Sequence, residues 1–305
     1  MYDRHFPFKI MKFDPKQCEA LLAVIETGSF EQAASRLHLT SSAVSQRVRA
    51  LEQQLGSPLL VRSRPCRATQ PGQRLLQYLR RAQLLEQDFQ TEFAGDQSAP
   101  LTLAVAVNAD SLASWFLPAL TEFLIREQVL LDLTVDDQNH TYALLEGGLA
   151  LGCISTEALP MRGCVAEPLG VMRYRCMASP GYRQRWFPQG MNRTAARLAP
   201  VLTFDRKDRL QADFLLQHFG LTADAYPCHF IPASEAYLQA VCLGLGWGMI
   251  PEVQMAQLQS SGALLDLAPE QPTDVGLFWH RWKVQSPRLE LMSATLVQAA
   301  RRVLL

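Results

Sequence analysis

Along the N-terminal third, apolar residues recur at helical spacing between frequent capping and breaking residues. Between Asp14 and Thr27, Leu21, Leu22 and Ile25 form such a run, and Gly28 stops it. Ser29 caps a new helix, and Gln32 completes the S-x-x-Q form of a capping box. Its inward stripe is narrow: Phe30, Ala33, Ala34 and Leu37, with two alanines that let another helix come close. After His38-Leu39, Thr40 is a second N-cap, and a helix over about Ser41 to Leu55 turns Val44, Val48, Leu51 and Leu55 inward. Gly56-Ser57-Pro58 ends it. Leu59-Leu60-Val61 then predicts a short strand, with Arg62 to Thr69 turning back on it. Thr69-Gln-Pro71-Gly72 opens a longer helix to about Phe93. Its stripe of Leu75, Tyr78, Leu79, Ala82, Leu85 and Phe89 exceeds what one small module can bury, so it pairs with a second copy or packs within its own chain.

Gly95 to Pro100 is a short polar linker, and beyond it strands and helices alternate. Strands are predicted at Leu101 to Asn108, Val129 to Asp136 and Ala150 to Ser155, with helices from about Ser111 and around Thr141 to Glu146. A second set follows: a strand ending at Phe204, a helix to His218, a strand over Cys228 to Ile231 and a helix to Leu243. The chain returns near Val275 to Trp282. Strands separated by helices imply parallel sheets. Ligands of such sheets sit beyond the carboxyl ends of the strands, where helix N-termini gather. That rule selects Asn108, Asp110 and Ser111, then Ser155, then Asp205, then Ser234 and Glu235, and Asp208 is a further acid close by. Asp and Ser also serve routinely as N-caps, so a purely structural role stands beside the ligand role for each.

Composition narrows the classes. The 305 residues are 48% hydrophobic and 19% charged, enough for packed cores and about two domains. No apolar run reaches the roughly 18 residues of a membrane span, and the start lacks a secretory pattern, so a cytoplasmic location is expected. Seven scattered cysteines form no C-x-x-C pair, which argues against a disulfide framework or a zinc cage. Cys228-His229 is too little for a metal site. There is no P-loop, no G-x-G-x-x-G after a strand, no G-x-S-x-G and no H-E-x-x-H. Neither a cofactor nor an enzymatic activity is expected.

A net charge of zero hides an asymmetry. Residues 1–93 hold 13 Lys and Arg against 9 Asp and Glu, and the remainder reverses the balance. Between residues 30 and 81, nine arginines face only Glu31 and Glu52. Such a segment meets a polyanion or forms a solvated basic face. The outward side of the 41–55 helix decides between them. Ser41, Ser42, Ser45, Gln46 and Arg49 are polar and crowd its first two turns. Gln can pair with an adenine edge, Arg with guanine, and Ser with bases or phosphates. This is the pattern of a helix-turn-helix whose second helix enters the major groove, although a plain helical hairpin with a polar face shares it. Arg62 and Arg64 in the following hairpin suit a wing against phosphate.

Phe30 to Arg62, FEQAASRLHLTSSAVSQRVRALEQQLGSPLLVR, resembles the N-terminal signature of LysR-type transcriptional regulators. Leu103 to Leu120, LAVAVNADSLASWFLPAL, resembles the ArgP/IciA subgroup, as do Phe204 to Asp208 and Pro227 to His229 followed by Ser234-Glu235-Ala236. The resemblance runs from about Phe13 to the C-terminus; residues 1–12 look like an extension without an assigned role. It implies an α+β multi-domain chain: a winged helix-turn-helix (1–71), a linker helix for dimerisation (72–95) and a two-lobed, periplasmic-binding-protein-like effector domain (96–305). Lobe one would span about 100–172 and 273–305, and lobe two about 173–272. The implied partners are double-stranded DNA, a small-molecule effector and further copies in a dimer or tetramer. The subgroup controls basic amino-acid export, which implies L-lysine or L-arginine as effector, with an aromatic or organic acid as the alternative. Ser111 and Ser155 would then receive the ligand carboxylate, while Asp110, Asp205, Asp208 and Glu235 would hold its cationic groups. An exported solute-binding protein is disfavoured by the basic N-terminal third and the unsuitable leader.

Overall fold

The computed structural model of the chain describes residues 13–94, 100–136, 141–255, 258 and 260–305. The extension and nearly all of the polar linker lie outside them. Two compact units divide the chain: residues 13–83, joined by 147–149, and the remainder from Leu84.

The first unit begins with α1 (Pro15–Thr27), capped by the Asp14 carboxylate and ended by Gly28 in the left-handed conformation. In α2 (Phe30–Arg36), Ser29 accepts from the Glu31 and Gln32 backbone N–H groups. The carboxylate that answers this cap is Glu31, which takes the Ser29 hydroxyl at 2.7 Å, rather than the Gln32 side chain of the expected box. His38 takes a positive φ of 54° in the turn, and Thr40 caps α3 (Ser41–Leu55). Ala20, Leu21, Val24, Ala33, Ala34, Val44, Val48 and Leu51 bury one core, with Leu22, Ile25 and Leu55 only half-buried. The short strands β1 (Leu60–Val61) and β2 (Arg67–Ala68) pair antiparallel as a wing. The helix α4 (Gln70–Ala94) starts beneath Thr69, whose hydroxyl accepts from Gly72 N–H, and passes from the first unit into the second.

The second unit opens with β3 (Leu101–Val107), then a helical turn α5 (Ala109–Ser111), a π-turn at Leu112–Phe116 and α6 (Leu117–Arg126). β4 (Val129–Val135), α7 (Thr141–Glu146) and β5 (Gly152–Ser155) complete a parallel trio, with β3 between β4 and β5. The long strand β6 (Cys164–Ala178) follows, then α8 (Pro180–Trp186), α9 (Arg193–Leu198), β7 (Val201–Thr203), α10 (Leu210–Phe219), β8 (Cys228–Phe230), α11 (Ser234–Cys242) and β9 (Gly248–Pro251). β10 (Leu265–Asp266), β11 (Thr273–Trp282) and α12 (Pro287–Val303) close the chain.

Parallel pairing is only part of this architecture. β11 pairs antiparallel with Cys164–Tyr174 of β6, and one end of the pair joins β5 while the other joins β9 and β10. The two halves of the unit therefore share a continuous seven-stranded mixed sheet, with β7 and β8 as a separate parallel pair. The boundary expected at residues 172/173 falls inside β6. Pro168 and Gly170 disguise that strand in the sequence. The structure accommodates them at an irregularity opposite Leu277/Phe278, where Gly170 adopts a φ of 135° and a Cβ would meet Leu304 Cβ at 2.7 Å. Among the described residues, no helix is long and apolar enough to cross a membrane.

Candidate functional site

On the first unit, α3 exposes Ser42, Gln46 and Arg49, which follow one another at i, i+4 and i+7, with Ser41 and Ser45 half-buried at the margins. Its other side is fixed by Val44, Val48 and Leu51, all fully buried. The face is thus rigidly backed and accessible. Not every nearby arginine is equally available. Glu26 engages Arg36 at 2.6 Å and Arg80 at 2.9 Å, while Arg62 lies 3.7 Å from Glu52 and 5.5 Å above the Phe30 ring. Arg64 and Arg67 are exposed in the wing. These contacts commit Arg36, Arg62 and Arg80 to partners within the unit.

The second unit holds a cleft beyond the carboxyl ends of its strands. It encloses about 530 Å³ of empty space including its open mouth, and three carboxylates line it: Asp110 after β3, Asp136 after β4 and Asp208 after β7. Asp110 is held by two hydroxyls, Tyr174 Oη donating at 2.8 Å to one oxygen and Ser234 Oγ at 2.7 Å to the other. Asp208 accepts from the Phe204 and Leu210 backbone N–H groups, so it both caps its turn and faces the cleft. Asp136 receives the Lys207 ammonium at 3.0 Å. The aromatic floor is Tyr237, which donates to Leu202 O and accepts from Gln211 Nε2. Burial first, and the charge of Asp208 next, push its hydroxyl pKa well above the ordinary tyrosine value. Since that hydroxyl takes the Gln211 N–H, the Gln211 Oε1 is the buried end of the amide with no hydrogen-bond partner among the described residues.

The other expected residues are placed differently. Asp205 turns its carboxylate onto the Lys207 and Asp208 backbone N–H groups and does not line the cleft. Glu235 is exposed, because Ser234 at the preceding helical position points inward and a one-residue step rotates the side chain by about 100°. Asn108 and Ser111 are buried at the start of α5, and the Ser111 hydroxyl lacks a partner among the described residues. Ser155 is buried and accepts from Glu157 N–H. None of these three is among the residues that line the cleft. Sequence reasoning missed Asp136, Tyr174, Gln211, Tyr237 and Gln254 of this region. Asp136 closes a predicted strand and was within reach of the carboxyl-end rule; Tyr174 and Tyr237 lie inside a strand and a helix, Gln211 in the first turn of α10 and Gln254 at the end of a short turn, none with a local signal. Burial raises the thiol pKa of Cys153 and Cys176, which keeps them unreactive. Among the described residues, no cluster of His, Cys, Asp and Glu could hold a metal.

Residues 15–73 match the model of the LysR-family bacterial regulatory helix-turn-helix protein, and residues 95–301 match the LysR substrate-binding domain. The chain is 42% identical to the transcriptional regulator ArgP of Aeromonas salmonicida, over 95% of this chain and 98% of that protein. It is also 42% identical to the regulator LysG of Mycobacterium tuberculosis, over 95% and 94%. Among solved structures it is similar to ArgP from Mycobacterium tuberculosis, with a TM-score of 0.81 and 41% identity over 96% of this chain and 99% of that one. Full-length LysG from Corynebacterium glutamicum with the effector Arg bound gives 0.75 and 35% over the same shares. A helix-turn-helix with an exposed polar second helix, an acid-lined cleft in an α/β unit and relatives matched over nearly their whole length lead to one conclusion: the chain belongs to the LysR family of DNA-binding transcriptional regulators, in which an effector-binding domain follows the helix-turn-helix.

Proposed function

We propose that this regulator senses a basic amino acid, L-arginine or L-lysine, and controls genes of basic amino-acid export. The observation that carries the reading is the lining of the cleft: Asp110, Asp136 and Asp208 with no Lys or Arg among the lining residues. Three carboxylates around a narrow space favour a ligand with two cationic groups and repel an organic acid. Asp110 would take the α-ammonium. The Ser111 hydroxyl and the N–H groups at the start of α5 would receive the carboxylate, for which α5 must shift enough to uncover Ser111. The arginine-bound LysG relative supports the same ligand class. A different LysR-type effector, aromatic or acidic, finds no matching cation in this lining.

In the same reading, Ser42, Gln46 and Arg49, flanked by Ser41 and Ser45, meet base edges, and Arg62 and Arg64 meet phosphate. Tyr78, Leu85 and Phe89 leave 47%, 43% and 60% of their surface exposed along α4, which favours pairing of this helix with a second copy. The protein acts in the cytoplasm as a regulator without catalytic function. Effector binding matters for DNA only if it favours one arrangement of the assembly over another. Calorimetry of the full chain with L-arginine, L-lysine and a set of organic acids tests the effector assignment. Heat with an organic acid and none with either basic amino acid would overturn it.

A further inference from the structure

We propose that Lys207 is a resident substitute for the effector's side-chain cation, occupying Asp136 until a basic amino acid takes its place. This rests on the basic amino-acid reading above and assigns the specificity for the distal charge to Asp136. The ammonium and carboxylate lie 3.0 Å apart although 71 residues separate them in sequence. Asp136 follows β4 and Lys207 sits in the turn after β7, so the pair links the ends of two strands that belong to different sheets. The root of the lysine is fixed, because Asp205 accepts its backbone N–H at 2.7 Å. Half of its side chain is exposed, against 29% for Asp136. The carboxylate is the more buried partner, and the lysine, more exposed and on a long stem, is the one that can exchange for another cation.

A second, independent feature points to an incoming N–H donor. Gln211 is 2% exposed, lines the same cleft and has an Oε1 without a partner among the described residues, while its Nε2 is committed to Tyr237. A buried acceptor that lacks a donor is costly, and an ammonium or guanidinium entering the cleft supplies one. Exchange of one cation for another at Asp136 conserves charge. A neutral side chain of the same length offers nothing to replace Lys207, so the latch discriminates against it without a steric barrier.

Calorimetry of the full-length protein with L-arginine, L-lysine and L-norleucine tests this on the wild type, Lys207→Met and Asp136→Asn, each first shown by thermal unfolding to be folded. Lys207→Met is expected to bind arginine and lysine about two- to fivefold more tightly, the scale of an exposed ion pair, with no gain for norleucine. Asp136→Asn should lose about tenfold or more for the basic ligands and little for norleucine. Lys207→Met binding no more tightly, or Asp136→Asn keeping the wild-type preference for lysine over norleucine, would overturn the latch while leaving the effector assignment intact. A wild type that binds neither basic amino acid removes both.

Discussion

Ser234 Oγ donates a 2.7 Å hydrogen bond to Asp110 Oδ1, joining the start of α11 to the start of α5 across 124 residues of sequence. With Tyr174 donating to the other oxygen, both oxygens of the carboxylate are held by neutral hydroxyls. Asp110→Asn keeps the shape and removes the charge. It should weaken arginine binding by about 1.5–3 kcal/mol, read by calorimetry. Unchanged affinity would mean that the α-ammonium binds elsewhere.

Gln46 stands in the middle of the exposed face of α3. Gln46→Ala should cost about 1–3 kcal/mol at one base pair of the operator and little on unrelated DNA. Binding measured across an operator library carries the answer, since an equal loss on every sequence would exclude base reading by this residue.

The two wing arginines should differ. Arg64 is exposed, whereas Arg62 has Glu52 and the Phe30 ring as partners. Arg64→Ala is expected to reduce the salt dependence of DNA binding by about one counterion. Arg62→Ala should reduce it less and also lower the stability of the first unit. Identical salt slopes for the two variants would contradict this division.

Gly248 lets the Tyr237 ring cross β9, for a Cβ there would lie 2.2 Å from Tyr237 Oη. Gly248→Ala must displace the ring and its bonds to Leu202 and Gln211, costing about 1–3 kcal/mol of stability. Denaturant unfolding measures it, and a wild-type midpoint would show that the cleft floor is softer than drawn.

His280 is buried and its Nε2 faces the Glu157 carbonyl oxygen at 2.6 Å, while Nδ1 lacks a partner among the described residues. Burial holds its pKa below the ordinary histidine value, against the opposing pull of Glu157. The unfolded chain therefore binds this proton more readily than the folded one. The contribution to stability is complete above about pH 6.5 and is lost as pH falls through the lower folded value. Unfolding free energies at several pH values should show this fall in the wild type and a shallower one in His280→Gln.

The N-terminal unit was almost fully legible. Its stripes, caps and stops are local, and the same residues that mark them in the sequence form the core: Val44, Val48 and Leu51 inside, Ser42, Gln46 and Arg49 outside. The cleft was legible only in part. The rule that ligands gather at strand ends reached Asp110 and Ser234, while at the third strand it reached Asp205, and Asp208 was named only as a further acid nearby.

The sequence by itself determined the helices and wing of the first unit, the polar outer face of α3 and the family pattern, since these depend on spacing within one helix or strand. Tertiary structure alone decided which acids share the cleft. Asp205 spends its carboxylate on its own turn and Glu235 faces water, while Asp136 turns to Lys207. It also decided that β6, with its proline and glycine, runs unbroken through both halves of the unit. The physical reason is the same in each case. A side chain's partner at long range depends on how strands pair and how far each helix has turned, and no local pattern records either.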